Sequence, residues 1–172
     1  MSNLSQDKRR TVVLEPMPPE RFDEFAAVSA ASHAADNIAS GRWLEPEAER
    51  LAKQELERLL PQRVATPDHH FYEIRFDSAS PALGFVWLGS VLRGSVHVAL
   101  VFQLFVYPRY RRQGYGRAAL VRVEEIASAM GLAAVALNVS GSNTGAQALY
   151  RSLGYVVTSL SMHKPLPAIG VA

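Results

Sequence analysis

The spacing of apolar positions divides the chain into short alternating runs and longer helical stretches. Residues 11–14 form a β-branched run that predicts a first strand, stopped by Pro16, Pro18 and Pro19. Pro19 and Glu20 suit the first turn of a helix. Phe22, Phe25, Ala26 and Ser29 follow at helical spacing until Gly41 breaks the pattern. A second helix is predicted over residues 46–60, with Ala48, Ala52, Leu56 and Leu59 on one face. Pro61 and Pro67 bound the loop after it.

Three strands come next. Residues 71–76 alternate, Phe71, Glu73 and Arg75 against Tyr72, Ile74 and Phe76, which predicts a half-exposed strand. Residues 82–92 read as a second strand, and Arg93-Gly94-Ser95 as a turn. Residues 96–106 are nearly all apolar and predict a central strand covered on both faces, ended by Pro108. A helix starting near Gly114 buries Ala119, Leu120, Val123, Ile126, Ala127 and Met130, and Gly131 stops it. Residues 133–139 read as a strand. Ser142 or Asn143 caps a short helix whose apolar face is Ala146, Leu149, Tyr150 and Leu153. Gly154 closes that helix, and residues 155–162 read as a last strand. An early meander followed by alternating helix and strand argues for an α/β fold with a mixed sheet flanked by helices. The expected organisation is a flexible tail over residues 1–10 and a single domain over residues 11–172.

Composition narrows the function classes. A chain of 172 residues is long enough for one domain with a real core. Its 18 Lys+Arg face 16 Asp+Glu, so the net charge of +2 gives little reason to expect a nucleic-acid partner. The absence of Cys removes disulfides, thiolate nucleophiles and Cys-based zinc sites together. No His/Asp/Glu spacing suggests a metal. No apolar run follows Lys8, Arg9 and Arg10, as a signal peptide would require. No stretch approaches the roughly 18 apolar residues of a membrane span. A soluble cytoplasmic protein without a membrane partner is expected.

The stretch with distinctive chemistry runs from the apolar strand through Arg111-Arg112-Gln113-Gly114-Tyr115-Gly116-Arg117 into a helix. A helix start leaves backbone N–H groups without intrahelical acceptors, with a partial positive charge behind them, and so favours an anion. Gly114 and Gly116 lack Cβ atoms, which lets a diphosphate approach the backbone. Arg109, Arg111, Arg112 and Arg117 surround the spot and can meet further phosphate oxygens. No Gly-Lys-Ser/Thr follows, so this is not a nucleotide triphosphate loop.

Residues 104–116, Leu-Phe-Val-Tyr-Pro-Arg-Tyr-Arg-Arg-Gln-Gly-Tyr-Gly, resemble the acyl-CoA-binding motif of the GNAT N-acetyltransferase superfamily. That motif is Arg/Gln-x-x-Gly-x-Gly/Ala after a strand, filled here by Arg111, Gly114 and Gly116. Leu137-Asn138-Val139, Ser142-Asn143, Ala148-Leu149-Tyr150 and Leu153-Gly154-Tyr155 look like the family's later strand-helix-strand segment. The resemblance implies acetyl-CoA as co-substrate, no metal, and an amine acceptor, with a homodimer common among such folds. It implies that backbone groups of Leu104, Phe105 and Val106 bind the pantetheine arm like an added strand. It assigns the pyrophosphate to the amides of Arg112, Gln113, Gly114, Tyr115, Gly116 and Arg117, and it brings the Asn143 side chain to the pantetheine or phosphate region. Tyr150 is placed by the thioester sulfur as general acid or hydrogen-bond donor. Without the likeness, Tyr150 reads as a core aromatic on the stripe of Ala146 and Leu153.

The base is not defined by these motifs. Several relatives carry a Glu where this chain has Asn138, which cannot take a proton but can orient a water or the amine. Glu73, His69, His70 and His97 titrate in a useful range, yet each also reads as an ordinary surface or loop residue. The missing Glu opens a second reading, a non-catalytic acyl-CoA-binding sensor or regulatory module. The acceptor pocket, expected from about residue 22 to residue 70, matches no pattern that names a substrate.

Overall fold

The computed structural model describes residues 11–164, so the expected tail over residues 1–10 lies outside the described residues. The described residues form two compact units, divided between Ser140 and Gly141. In the first, the elements run β1 (Val13–Pro16), α1 (Phe22–Ala39), α2 (Glu45–Leu59), β2 (His69–Arg75), β3 (Ala82–Arg93), β4 (Val96–Val106), α3 (Tyr115–Ala129) and β5 (Val135–Leu137). The strands lie in sequence order in one mixed sheet. Neighbours pair antiparallel from β1 to β4, and β5 joins β4 in parallel. Gly94, at φ +61°, makes the tight turn from β3 into β4.

Strand alternation sends successive side chains to opposite faces, and a helix layer covers each. On one face Ile74, Val86, Leu88 and Val101 pack with Ala119 and Val123 of α3. On the other, Phe71, Phe85 and Trp87 pack with Phe22 and Phe25 of α1. The Phe25 ring lies edge-on to these three sheet rings at centroid distances of 5.1, 5.2 and 5.7 Å. A third cluster joins α1 to α2 through Ala30, Ala34, Ala48 and Ala52, whose small side chains let the two helices approach.

Four expectations are corrected. Residues 71–76 are not a half-exposed strand: Phe71, Glu73 and Ile74 are all buried, because helices cover both faces of β2. The most completely covered strand is β3, buried from Leu83 to Gly89, and not β4. Beyond Val101, β4 is only half-buried, because β5 shrinks to three residues that pair with Ala99, Leu100 and Val101. In α3 the predicted stripe ends early, and Met130 is 40% exposed at the C-cap.

The second unit holds α4 (Thr144–Ser152). Asn143 caps it, its Oδ1 accepting from the Ala146 N–H at 3.1 Å. Gly154 closes it at φ +91°. The fourth correction falls here: residues 155–162 form no strand, and Val156, Val157, Leu160 and Met162 are exposed. β-Branched residues favour an extended chain, but a strand exists only where a neighbouring edge takes its hydrogen bonds.

Gly84 shows how closely β3 and β4 are joined. It pairs with Val106, and a Cβ at this position would overlap the Phe105 backbone carbonyl. Two backbones cannot yield as a flexible side chain can. Gly84→Ala is expected to destabilise the protein by about 1–3 kcal/mol, the range for overpacking, measured as a lower urea midpoint. An unchanged midpoint would show that the strands separate here at no cost.

Candidate active site

One edge of β4 is paired along its length and the other is open at its end. The Tyr107 N–H bonds the Leu83 carbonyl at 2.9 Å, so in an antiparallel ladder Tyr107 and Phe105 turn their backbone groups toward β3. Leu104 and Val106 therefore turn theirs the opposite way, past the point where β5 stops pairing. The ladder also slips at Trp87/Leu88: Trp87 faces Gln103 and Leu88 faces Val101, leaving Phe102 as an extra residue in β4. The bulge lets Gln103 reach α1, where the buried Ser29 hydroxyl donates to its side-chain carbonyl. Phe102 stacks on Trp87 with centroids 4.5 Å apart.

The loop leaves the strand through a single turn at Pro108–Tyr110. Arg111 folds back, its Nε donating to the Val106 carbonyl at 2.9 Å and its guanidinium lying 5.3 Å from the Phe105 ring centroid. The Gln113 side-chain N–H donates to the Arg109 carbonyl at 3.0 Å. Arg112 at φ +58° and Gly114 at φ +87° are both left-handed, which bends the backbone sharply into α3. No side chain caps α3 at Gly114, and the space where its Cβ would stand is open. With no side chain at its N-cap, the helix start presents backbone N–H groups, the form an anion site takes.

The four candidate bases separate clearly. The Glu73 side chain is 4% exposed, and both its oxygens are taken. Oε1 accepts from Arg21 Nε at 3.1 Å; Oε2 accepts from Arg75 Nε at 3.1 Å and Nη2 at 2.6 Å. It is an ion-pair anchor, not the surface residue expected. His69 Nδ1 accepts from the Trp87 Nε1–H at 2.9 Å. An indole N–H only donates, so neutral His69 carries its proton on Nε2 and its one lone pair is engaged. Burial holds the His69 pKa below its ordinary value, with Asp68 opposing the shift. His97 is exposed at the hairpin end of β4, and His70 is half-buried on β2.

Around Glu73 lies a network that the sequence did not suggest. Arg21 Nη1 pairs with Glu24 Oε2 at 2.8 Å, and Arg21 Nη2 donates to the Tyr107 hydroxyl at 3.2 Å. That hydroxyl donates to Glu24 Oε1 at 2.6 Å. Burial and the Glu24 carboxylate push the Tyr107 pKa up to about 12, so the phenol is protonated at neutral pH. These residues come from α1, β2 and the end of β4. Only a single Tyr107 next to the loop motif hinted at them.

The remaining expected site residues divide between the units. Asn138 is exposed directly after β5 in the first unit. Asn143 and Tyr150 belong to the second. The Asn143 Oδ1 is committed to the cap of α4, which leaves its amide hydrogens as donors. Tyr150 is half-buried with its ring 5.8 Å from that of Tyr155, and burial raises its pKa above the ordinary phenol value. Among the described residues no group of three His, Cys, Asp or Glu could hold a metal, and no helix is long and apolar enough to cross a membrane.

Comparison with known proteins agrees with this geometry. The sequence profile of the acetyltransferase (GNAT) family matches residues 34–155. The uncharacterized N-acetyltransferase YdgE of Bacillus subtilis is 31% identical over 89% of this chain and 97% of its own. The uncharacterized N-acetyltransferase YycN of the same organism is 29% identical over 91% and 99%. The crystal structure of YycN superposes with a TM-score of 0.86 over the same shares. The ribosomal protein bS18-alanine N-acetyltransferase of Escherichia coli is 44% identical over 57 residues, 33% of this chain and 38% of its own. The mixed sheet, the uncapped helix start and these matches together show that the chain belongs to the GNAT family of N-acetyltransferases.

Proposed function

We propose that the protein transfers an acetyl group from acetyl-CoA to a primary amine by direct attack of the amine on the thioester. The observation that carries this reading is the junction of β4 and α3. A strand edge that β5 leaves unpaired past Val101 leads through a left-handed bend into an uncapped helix start. A pantetheine arm is a chain of amides and a pyrophosphate is a double anion, so both ends of the junction fit one ligand. Leu104 with its N–H and C=O, and Val106 with its N–H, face the arm as a neighbouring strand would, while the Val106 carbonyl holds Arg111. Phe105, between them, packs its ring on Phe85 and holds the strand in place. Arg112, Gln113, Gly114, Tyr115, Gly116 and Arg117 wrap the pyrophosphate with backbone amides, and Arg111 locks the loop to the strand end. The Asn143 amide hydrogens serve the same ligand as donors.

Acetyl-CoA supplies an activated acyl thioester, and the residues manage the protons. A lysine-like amine has a pKa of about 10.4, so the neutral nucleophile costs roughly 4–5 kcal/mol near pH 7. Glu73 and His69 have their acceptor positions occupied. In this reading the proton leaves through water, oriented by the Asn138 side chain. A thiol leaving group has a pKa of about 8.5 against about 10 for an ordinary Tyr, so full proton transfer from tyrosine costs roughly 2 kcal/mol. Burial of Tyr150 adds to that cost. Tyr150 acts chiefly as a hydrogen-bond donor to the developing thiolate. The acceptor is an amine, and a peptide N-terminus belongs in the first panel tested beside small amines and lysine peptides.

Calorimetry is expected to show saturable acetyl-CoA binding without added metal, and thiol release is expected with at least one amine. Gly114→Glu places a carboxylate where the phosphate sits and is expected to abolish binding with circular dichroism unchanged. Wild-type affinity in that variant would remove the phosphate role of the loop. Tyr150→Phe is expected to lower turnover roughly 10²-fold, with acetyl-CoA affinity nearly unchanged and a smaller defect for donors with more acidic thiols. Full activity under conditions where chemistry limits the rate would return Tyr150 to a packing role.

A further inference from the structure

Beside the loop lies a cavity of about 730 Å³ that the acetyl-transfer reading does not use. Its wall carries the guanidiniums of Arg21, Arg75 and Arg109 against the carboxylates of Glu24 and Glu73. We propose that this cavity is an anion-binding site for a small organic acid, a molecule carrying a carboxylate or phosphate group. Three cations face two anions, and the hydrogen-bond accounting leans further the same way. Each Glu73 oxygen and each Glu24 oxygen already accepts a charge-assisted bond. Every guanidinium has five N–H donors. Arg21 spends three on Glu73, Glu24 and Tyr107, and Arg75 spends its bonds on Glu73 and the Ser80 carbonyl.

Arg109 has no carboxylate partner among the described residues; its guanidinium lies over the Tyr110 ring, 4.7 Å from the centroid. The wall thus carries more unused donors than unused acceptors, and an oxyanion with several lone pairs complements it. The buried Glu73 sets the geometry. It pairs with both Arg21 and Arg75, so their remaining N–H groups are held in place before any ligand arrives. Pro81, Ala82 and Pro108 add an apolar wall, and the volume lies in the range of small-molecule sites and well above one inorganic ion. The ligand is therefore an organic acid with a carbon skeleton, held by its charged end.

The test uses the full chain and two probes, succinate and inorganic phosphate, titrated by calorimetry. One arm is run with saturating CoA, which fills the phosphate loop. A second arm uses Gly114→Glu, which blocks the loop whether or not the protein binds CoA, so the cavity is read even if the acetyl-CoA reading fails. Stoichiometric binding of at least one probe in both arms is expected, and the tighter probe tells carboxylate from phosphate. Arg109→Ala removes an exposed side chain with no ion pair and is expected to weaken that binding about tenfold or more, the loss of a charge-assisted bond. Displacement of both probes by CoA, no binding at millimolar concentration, or wild-type affinity in Arg109→Ala would each overturn the proposal.

Discussion

The antiparallel ladder between β3 and β4 is the constraint on which the rest of the first unit depends. It runs without a gap from Val96 to Val106 except for the bulge at Phe102. It is drawn so tight at Gly84 that no side chain fits there. That closeness holds one edge of β4 rigid. The other edge can then be left open past Val101 without the strand fraying, because every second residue is already bonded to β3. An unpaired strand edge inside a protein is normally a liability. Here it is short, it is stiffened from one side, and it leads directly into a helix start with no side-chain cap. In the function proposed, a single ligand with amides at one end and phosphates at the other engages both.

The aromatic face of the sheet provides the second support. Phe71, Phe85 and Trp87 would make an ordinary apolar layer, yet β2 places Glu73 on that same face. A lone buried carboxylate would be costly; removing one partner from such a pair typically costs about 3–5 kcal/mol. Two guanidiniums offset the burial, and one of them, Arg21, comes from the turn that opens α1. The ion pair therefore fixes the start of α1 over the sheet, beside the Phe22 and Phe25 contacts. Tyr107 links that network to the end of β4 and so to the loop.

The same contacts decide which residues are available for proton chemistry. A carboxylate and an imidazole with suitable intrinsic pKa values both lie on β2, and both are engaged by neighbours. Trp87 takes the His69 lone pair, and Arg21 with Arg75 take the Glu73 oxygens. With Asn at position 138 as well, none of these three positions offers a free basic atom for the amine proton. Water carries it in the mechanism proposed, with polar side chains as guides.

Much of the fold was legible in the sequence. The helices betrayed themselves by period and by their proline and glycine stops, and α4 by Asn143, which does cap it. The loop was legible because its chemistry is local: Gly114 is left-handed and uncapped within a few residues of its neighbours. What the sequence could not determine depends on contacts between distant residues. Residues 155–162 read as a strand and are not one, because a ladder needs a partner edge as well as a propensity. β4 reads as the most apolar strand, yet β3 is the buried one, because coverage depends on where β5 stops. Glu73 reads as a surface residue, and its burial is made tolerable by Arg75 on the same strand together with Arg21, which arrives from 52 positions away. Local backbone chemistry is written in neighbouring residues; burial, pairing and charge balance are decided where the chain returns on itself.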